Sequence, residues 1–105
     1  MKFNFKLTEG VWVKFNDEVE FLIRPFPNSK LAYKLGSVTI VGEHNYVIFK
    51  ECVLDWKGVK NEKGEEVPCD NESKLKMFDL YENVFEFVFG EQSKLKTKYD
   101  EEIKN

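Results

Sequence analysis

At the start of the chain, apolar and polar positions alternate with a period of two. Phe3, Phe5 and Leu7 are separated by Asn4 and Lys6, the pattern of a short strand with one buried face. Thr8-Glu9-Gly10 is a turn signal. After it, two β-rich runs, Val11-Trp12-Val13-Lys14-Phe15 and Val19-Glu20-Phe21-Leu22-Ile23-Arg24, bracket the polar Asn16-Asp17-Glu18 and predict a hairpin. A two-residue loop at Asn16-Asp17 sets Val13 opposite Glu20 and Trp12 opposite Phe21, which mixes apolar and charged groups on both faces. A three-residue loop, Asn16 to Glu18, sets Phe15 opposite Val19, Val13 opposite Phe21 and Val11 opposite Ile23, while Lys14 meets Glu20 on the other side. A slip of one residue exchanges the faces, so the pattern selects the three-residue loop. The cost is Glu18 in the left-handed region, about 1–2 kcal/mol for a non-glycine residue. Burial of three cross-strand apolar pairs outweighs it.

Arg24-Pro25-Phe26-Pro27 ends the strand, because each proline removes a backbone donor and holds the chain extended. Asn28-Ser29 is placed to cap a short helix, Lys30 to Leu35, stopped by Gly36. Ser37-Val38-Thr39-Ile40-Val41, between Gly36 and Gly42, is β-rich and reads as a strand or a loop. Residues 45–56 carry two opposed signals. Tyr46, Val47, Ile48 and Phe49 favour a strand by propensity. At 100° per residue, however, Tyr46, Ile48, Phe49, Cys52, Val53 and Trp56 fall on one side, and Lys50, Glu51, Asp55 and Lys57 fall largely on the other. A strand here buries Lys50 or Glu51, so the expectation is a helix from Asn45 to Trp56, ended by Gly58.

Val59 and Val67 flank a turn with Gly64 at a natural position for positive φ. Asp70 or Asn71 is the expected cap of the next helix. Its stripe is Leu75, Phe78, Tyr81, Phe85 and Val88, at spacings of three and four. Met77, Val84, Phe87 and Phe89 widen it beyond one face, and a break is allowed near Glu82-Asn83. After Gly90 only Leu95, Tyr99 and Ile103 are apolar, so a helix edge that frays is expected. The resulting fold is α+β: an N-terminal antiparallel β-hairpin and sheet followed by a helical C-terminal half. It is read as a single domain over 1–105, β-rich in 1–42 and helical in 43–105, with a turn at 57–68 and a fraying tail at 91–105.

Composition narrows the classes of function. The 105 residues are 42% hydrophobic and 33% charged, a globular composition rather than a disordered one. A net charge of −3 argues against a nucleic-acid binder and against adsorption to anionic membranes. No apolar run suits a signal peptide or a membrane span, so a cytoplasmic protein is expected. Cys52 and Cys69 do not form a Cys-x-x-Cys pair and are read as free thiols in a reducing compartment.

Nothing in the chain forms a catalytic constellation, and no enzyme activity, cofactor or metal is expected. His44, the only histidine, has no partner motif and suits a loop or cap. Cys52 lies on the apolar side of its helix as a packed small hydrophobe. Cys69, beside Pro68 near a helix start, is placed for a lowered pKa, but no histidine pairs with it. One His and two distant Cys do not make a metal site. The surplus is aromatic, 15% of the chain. Phe78, Tyr81, Phe85, Phe87 and Phe89 cannot all face inward on one helix. Either two helices and a sheet bury them together, or part of the set is an apolar patch for a protein partner. If Leu75, Phe78, Tyr81, Phe85 and Val88 close the core, then Met77, Val84, Phe87 and Phe89 remain as the candidate partner-binding residues.

The central stretch adds a resemblance. Trp56-Lys57-Gly58-Val59, Asn61-Glu62-Lys63-Gly64, Val67-Pro68-Cys69 and a helix start at Asn71-Glu72 resemble the small tail assembly chaperones of long-tailed bacteriophages and prophages, from Leu54 to Val88. The Arg24-Pro25 step after the β portion is also similar. By motif, only Trp56, Gly58, Gly64 and Pro68 carry over, as structural residues. The resemblance implies a non-catalytic assembly factor in the bacterial host's cytoplasm. Such a factor binds the apolar, helical tape-measure protein, aids tail-tube assembly and leaves the finished tail. Its partners are then phage tail proteins, with a homo-oligomer allowed when no client is bound. The alternatives are a structural virion protein, such as a neck or tail-completion subunit, and a small ligand-binding domain or enzyme.

Overall fold

The computed structural model describes residues 8–25 and 41–104. The expected strand Phe3 to Leu7, the helix Lys30 to Leu35 with its Asn28-Ser29 cap, and the 37–40 part of the β-rich run lie outside these. The elements in chain order are β1 (Val11–Lys14), β2 (Glu20–Ile23), α1 (Val41–Cys52), β3 (Val53–Lys57), α2 (Asn71–Leu80) and α3 (Glu82–Lys104). The strands form an antiparallel sheet in the order β1-β2-β3. The fold is therefore α+β, an N-terminal antiparallel sheet with α1 inserted before its last strand and a helical C-terminal part after it.

The β1–β2 register pairs Val11 with Ile23, Val13 with Phe21 and Lys14 with Glu20, the pairing that the alternation selects. The expected strain at Glu18 is absent, since among the described residues only glycines have positive φ. Asn16 removes the need for it. Its Oδ1 accepts the backbone N–H of Glu18 (2.9 Å) and of Val19 (2.7 Å), so a side chain closes the turn in place of a left-handed residue.

The expected helix from Asn45 to Trp56 is helix only as far as Cys52 and strand from Val53. α1 starts earlier, taking in Val41, Gly42 and His44, and ends at Cys52. His44 is thus a helix residue rather than a loop residue. From Val53 the chain pairs with β2: Phe21 faces Trp56, Leu22 faces Asp55 and Ile23 faces Val53, which leaves Leu54 as a bulged extra residue. In a regular strand, residues three apart point to opposite faces. With Leu54 bulged, Val53 and Trp56 both reach the core. The same spacing of three gives the segment its helical periodicity.

Phe21 and Ile23 from β2, Val53 and Trp56 from β3, Phe49 and Cys52 from α1, and Val84 and Val88 from α3 form one buried cluster. Arg24 ties the end of β2 to the end of α1. Its backbone N–H donates to Cys52 O (2.9 Å), its Nε–H to Glu51 O (2.6 Å), and its guanidinium pairs with the Glu51 carboxylate (2.9 Å). These bonds put a cation on carbonyls at a helix C-terminus, where the macrodipole favours it.

α2 begins at Asp70, whose carboxylate accepts the Ser73 N–H (2.8 Å). It stops at Tyr81, which leaves the helical region (φ −130°, ψ 83°) while its N–H still bonds Met77 O. α3 runs through Gly90 and continues to Lys104, so the helix edge allowed after the glycine is part of one long helix. Val84, Val88 and Leu95 recur on one face, and Leu95 packs against the core cluster, so burial holds the helix past the glycine.

Two glycines after β3 give a controlled comparison. Both have φ of 79°. A Cβ on Gly64 meets nothing within 4 Å, whereas one on Gly58 falls 1.9 Å from the backbone O of Glu18. Gly64→Ala is expected to cost about 1–2 kcal/mol, the left-handed penalty alone. Gly58→Ala carries that penalty and also forces the hairpin turn away from β3. Its urea midpoint should fall clearly below that of Gly64→Ala. Equal midpoints would show that the turn yields freely.

Candidate docking groove

The chain leaving β3 doubles back. Lys60 bridges Glu66, and the Val67 N–H donates to Val59 O (2.9 Å). Asn61 organises the tip: its Oδ1 accepts the N–H of Lys63 (2.9 Å) and of Glu65 (3.0 Å), and Gly64 N–H bonds Asn61 O. Val59 and Val67 pack this hairpin against the core, and a core side chain bonds its backbone. The Trp56 indole, 6% exposed, donates its Nε1–H to Val67 O (2.7 Å) and sets its ring edge-on to Phe21. Pro68 then turns the chain toward the Asp70 cap.

Between the hairpin and α2 lies a groove of about 450 Å³. Trp56 and Val67 line it from the sheet side, and Met77, Leu80 and Tyr81 from the helix side. A second groove of about 330 Å³ adjoins it and shares Val59, Lys60, Met77 and Tyr81; Gly58, Phe15 and Val84 also line it. Leu80 is 72% exposed and Tyr81 53%. The break after α2 therefore presents two large apolar side chains beside a preformed apolar cleft. Charge on the first groove is balanced, with Lys60 and Lys76 against Glu62 and Glu66.

The structure divides the aromatic and apolar surplus differently from the helical stripe. Tyr81 and Leu75, assigned above to the core, are exposed. Val84, assigned to the partner surface, is 6% exposed and belongs to the core, with one side toward the smaller groove. Met77 is half-buried and lines both grooves. Phe87 packs inward, its ring 5.1 Å from that of Phe15 and 6.3 Å from that of Phe21. Phe89 is exposed and stands apart from the grooves, against Phe85. The reason is a phase change: the break at Tyr81 rotates the inward face of α3 relative to that of α2, so one continuous stripe does not describe both. Leu80 lies off the helical stripe altogether. Its signal is an apolar residue off the stripe, directly before the allowed break.

Of the motif residues, Trp56 and Pro68 line the larger groove and Gly58 the smaller, while Gly64 forms the hairpin tip. The model of the YdaY prophage protein family matches residues 10–105. The chain belongs to that family. No curated protein and no solved structure matches it. The YdaY description names a prophage and no activity. It supports the prophage origin that the central motif implies, and leaves the narrower tail-assembly reading as a proposal.

Both thiols of this prophage protein are free. Burial pushes the Cys52 thiol up to about 12, with the nearby Arg24 lowering it and Glu51 raising it. The expected lowering at Cys69 does not occur. Burial raises it to about 11, and the Asp55 and Asp70 carboxylates add to the rise against Lys74, so its place near a helix start is outweighed. Among the described residues no group of three or more His, Cys, Asp or Glu is placed to hold a metal ion, and no helix is long and apolar enough to cross a membrane.

Proposed function

We propose that this prophage protein is a tail assembly chaperone that holds an apolar helical segment of the tape-measure protein in the groove between the 59–67 hairpin and α2. The observation that carries the reading is that Trp56 and Pro68, two of the residues that resemble that class, line this apolar groove, while Gly58 lines the smaller groove that adjoins it. An amphipathic helix laid there meets Met77, Leu80 and Tyr81. Met adapts its shape to irregular clients, and Tyr gives a large contact area at small entropic cost. The balanced rim charge suits a client recognised by its apolar face.

Trp56 reports on the groove directly. In a Trp12→Phe background it is the sole tryptophan. A helical peptide from the tape-measure protein of the same prophage should change its emission saturably. In a folded Leu80→Ser, Tyr81→Ser double variant the response should be lost. No response in the wild-type groove would overturn the proposal. Mass spectrometry of purified particles should not find the chain; a stoichiometric amount there would establish a virion subunit instead. Without a client the wild type should self-associate by light scattering, and the same double variant should do so less.

A further inference from the structure

A second apolar surface lies away from the groove. The rings of Tyr46 and Phe78 are 5.5 Å apart, those of Phe78 and Phe85 5.5 Å, and those of Phe85 and Phe89 5.8 Å. This ladder crosses α1, α2 and α3 in turn. Its outer end, Phe89, is 43% exposed, as is Leu75, three residues before Phe78 on α2. Carboxylates border it. Glu82 stands three residues before Phe85 and Glu86 three before Phe89, and each like pair is four apart, so the four share one patch of α3. Asp79 is close enough to Tyr46 that its charge, after burial, raises the Tyr46 hydroxyl. Asp79, Glu82 and Glu86 are exposed and join no ion pair among the described residues; the paired surface carboxylates are Glu72 and Glu91. The described cations at its inner end are Lys50, 5.8 Å from the Tyr46 ring centroid, and Lys74, whose Nζ–H donates to Lys50 O (3.2 Å); neither forms an ion pair with these carboxylates.

We infer that the Tyr46–Phe78–Phe85–Phe89 ridge is a second docking surface, and that its partner is a basic amphipathic helix on another protein. The apolar face of such a helix covers the rings, and Lys or Arg flanking that face meets the unpaired carboxylates. The groove, with its balanced rim, has no such sign preference. The two surfaces thus select different partners, and this inference does not depend on what the groove holds.

The test uses the full chain and two synthetic amphipathic helices with the same leucine face, one flanked by lysines and one by glutamates. By titration calorimetry the lysine peptide should bind at least about tenfold more tightly, and high salt should close most of that gap. Phe89→Ser should weaken lysine-peptide binding in a folded protein, as should Glu82→Gln with Glu86→Gln. Asp17→Asn with Glu65→Gln removes the same charge from distant exposed sites and should leave binding unchanged, as should Leu80→Ser. Equal affinity for the two peptides would overturn the inference. So would equal loss in the distant charge variant, which would mean net charge alone is read. If wild type dimerises and Phe89→Ser makes it monomeric without weakening peptide binding, a second copy occupies the ridge and the inference fails.

Discussion

Trp56→Ala is expected to unfold the protein or nearly so. The indole is 6% exposed, lies in the core cluster with Phe21, Val84 and Val88, and holds the returning hairpin through its bond to Val67 O. Truncating a buried aromatic to Ala costs about 3–5 kcal/mol. A small domain has only about 5–15 kcal/mol in total. Trp56→Phe separates the two roles. It keeps most of the apolar volume and removes the N–H, leaving Val67 O without that donor, for about 1 kcal/mol or somewhat more. Urea denaturation of the three proteins should rank them wild type, Phe, Ala, with a small first step and a large second one. Acrylamide quenching provides the cross-check. Trp12, 37% exposed on the sheet under Lys57, should be readily quenched, and Trp56 should not. A freely quenched Trp56 would mean the groove wall is open and the hairpin detached.

Phe21→Asp is expected to leave no folded population. Phe21 is fully buried on the central strand, and its ring meets those of Phe15, Trp56 and Phe87. The variant loses a buried aromatic, at about 3–5 kcal/mol, and places a carboxyl where no described residue offers it a partner. Burial of an unpaired polar group adds about 2–7 kcal/mol. The combined cost is of the same order as the whole stability of a domain this small. Phe21→Leu keeps the site apolar and should fold, with a lowered melting temperature. A soluble Phe21→Asp protein that melts like wild type would contradict the β1–β2 register, because the register puts residue 21 under the helices.

The two surfaces show how function depends on faces that composition cannot assign. The excess of aromatic residues correctly signals more apolar side chains than one helix face can bury. Which ones stay outside depends on the break at Tyr81, whose position decides the phase of α3. Met77 and Val84 come to the groove, Phe87 enters the core and Phe89 joins the ridge. Leu80 becomes the most exposed of the large apolar residues beside the groove because it precedes the break.

What the sequence determined by itself is what neighbours along the chain decide. The β1–β2 register follows from alternation within a single hairpin, the start of α2 from a capping side chain at Asp70 or Asn71, and the Gly64 turn from a residue that alone tolerates positive φ cheaply. What only the tertiary structure decided depends on partners far away in the chain. Val53–Lys57 is a strand because β2, some thirty residues earlier, offers an edge and a bulge at Leu54 aligns Val53 with Trp56. The helical period of that segment cannot reveal this, since a bulged strand and a helix both bring residues three apart to one side. Asn16 likewise relieves Glu18 through a side-chain bond that propensity alone does not predict. The groove and the ridge exist only where separate segments meet. An apolar residue on a two-sided helix is core or surface according to what those segments cover.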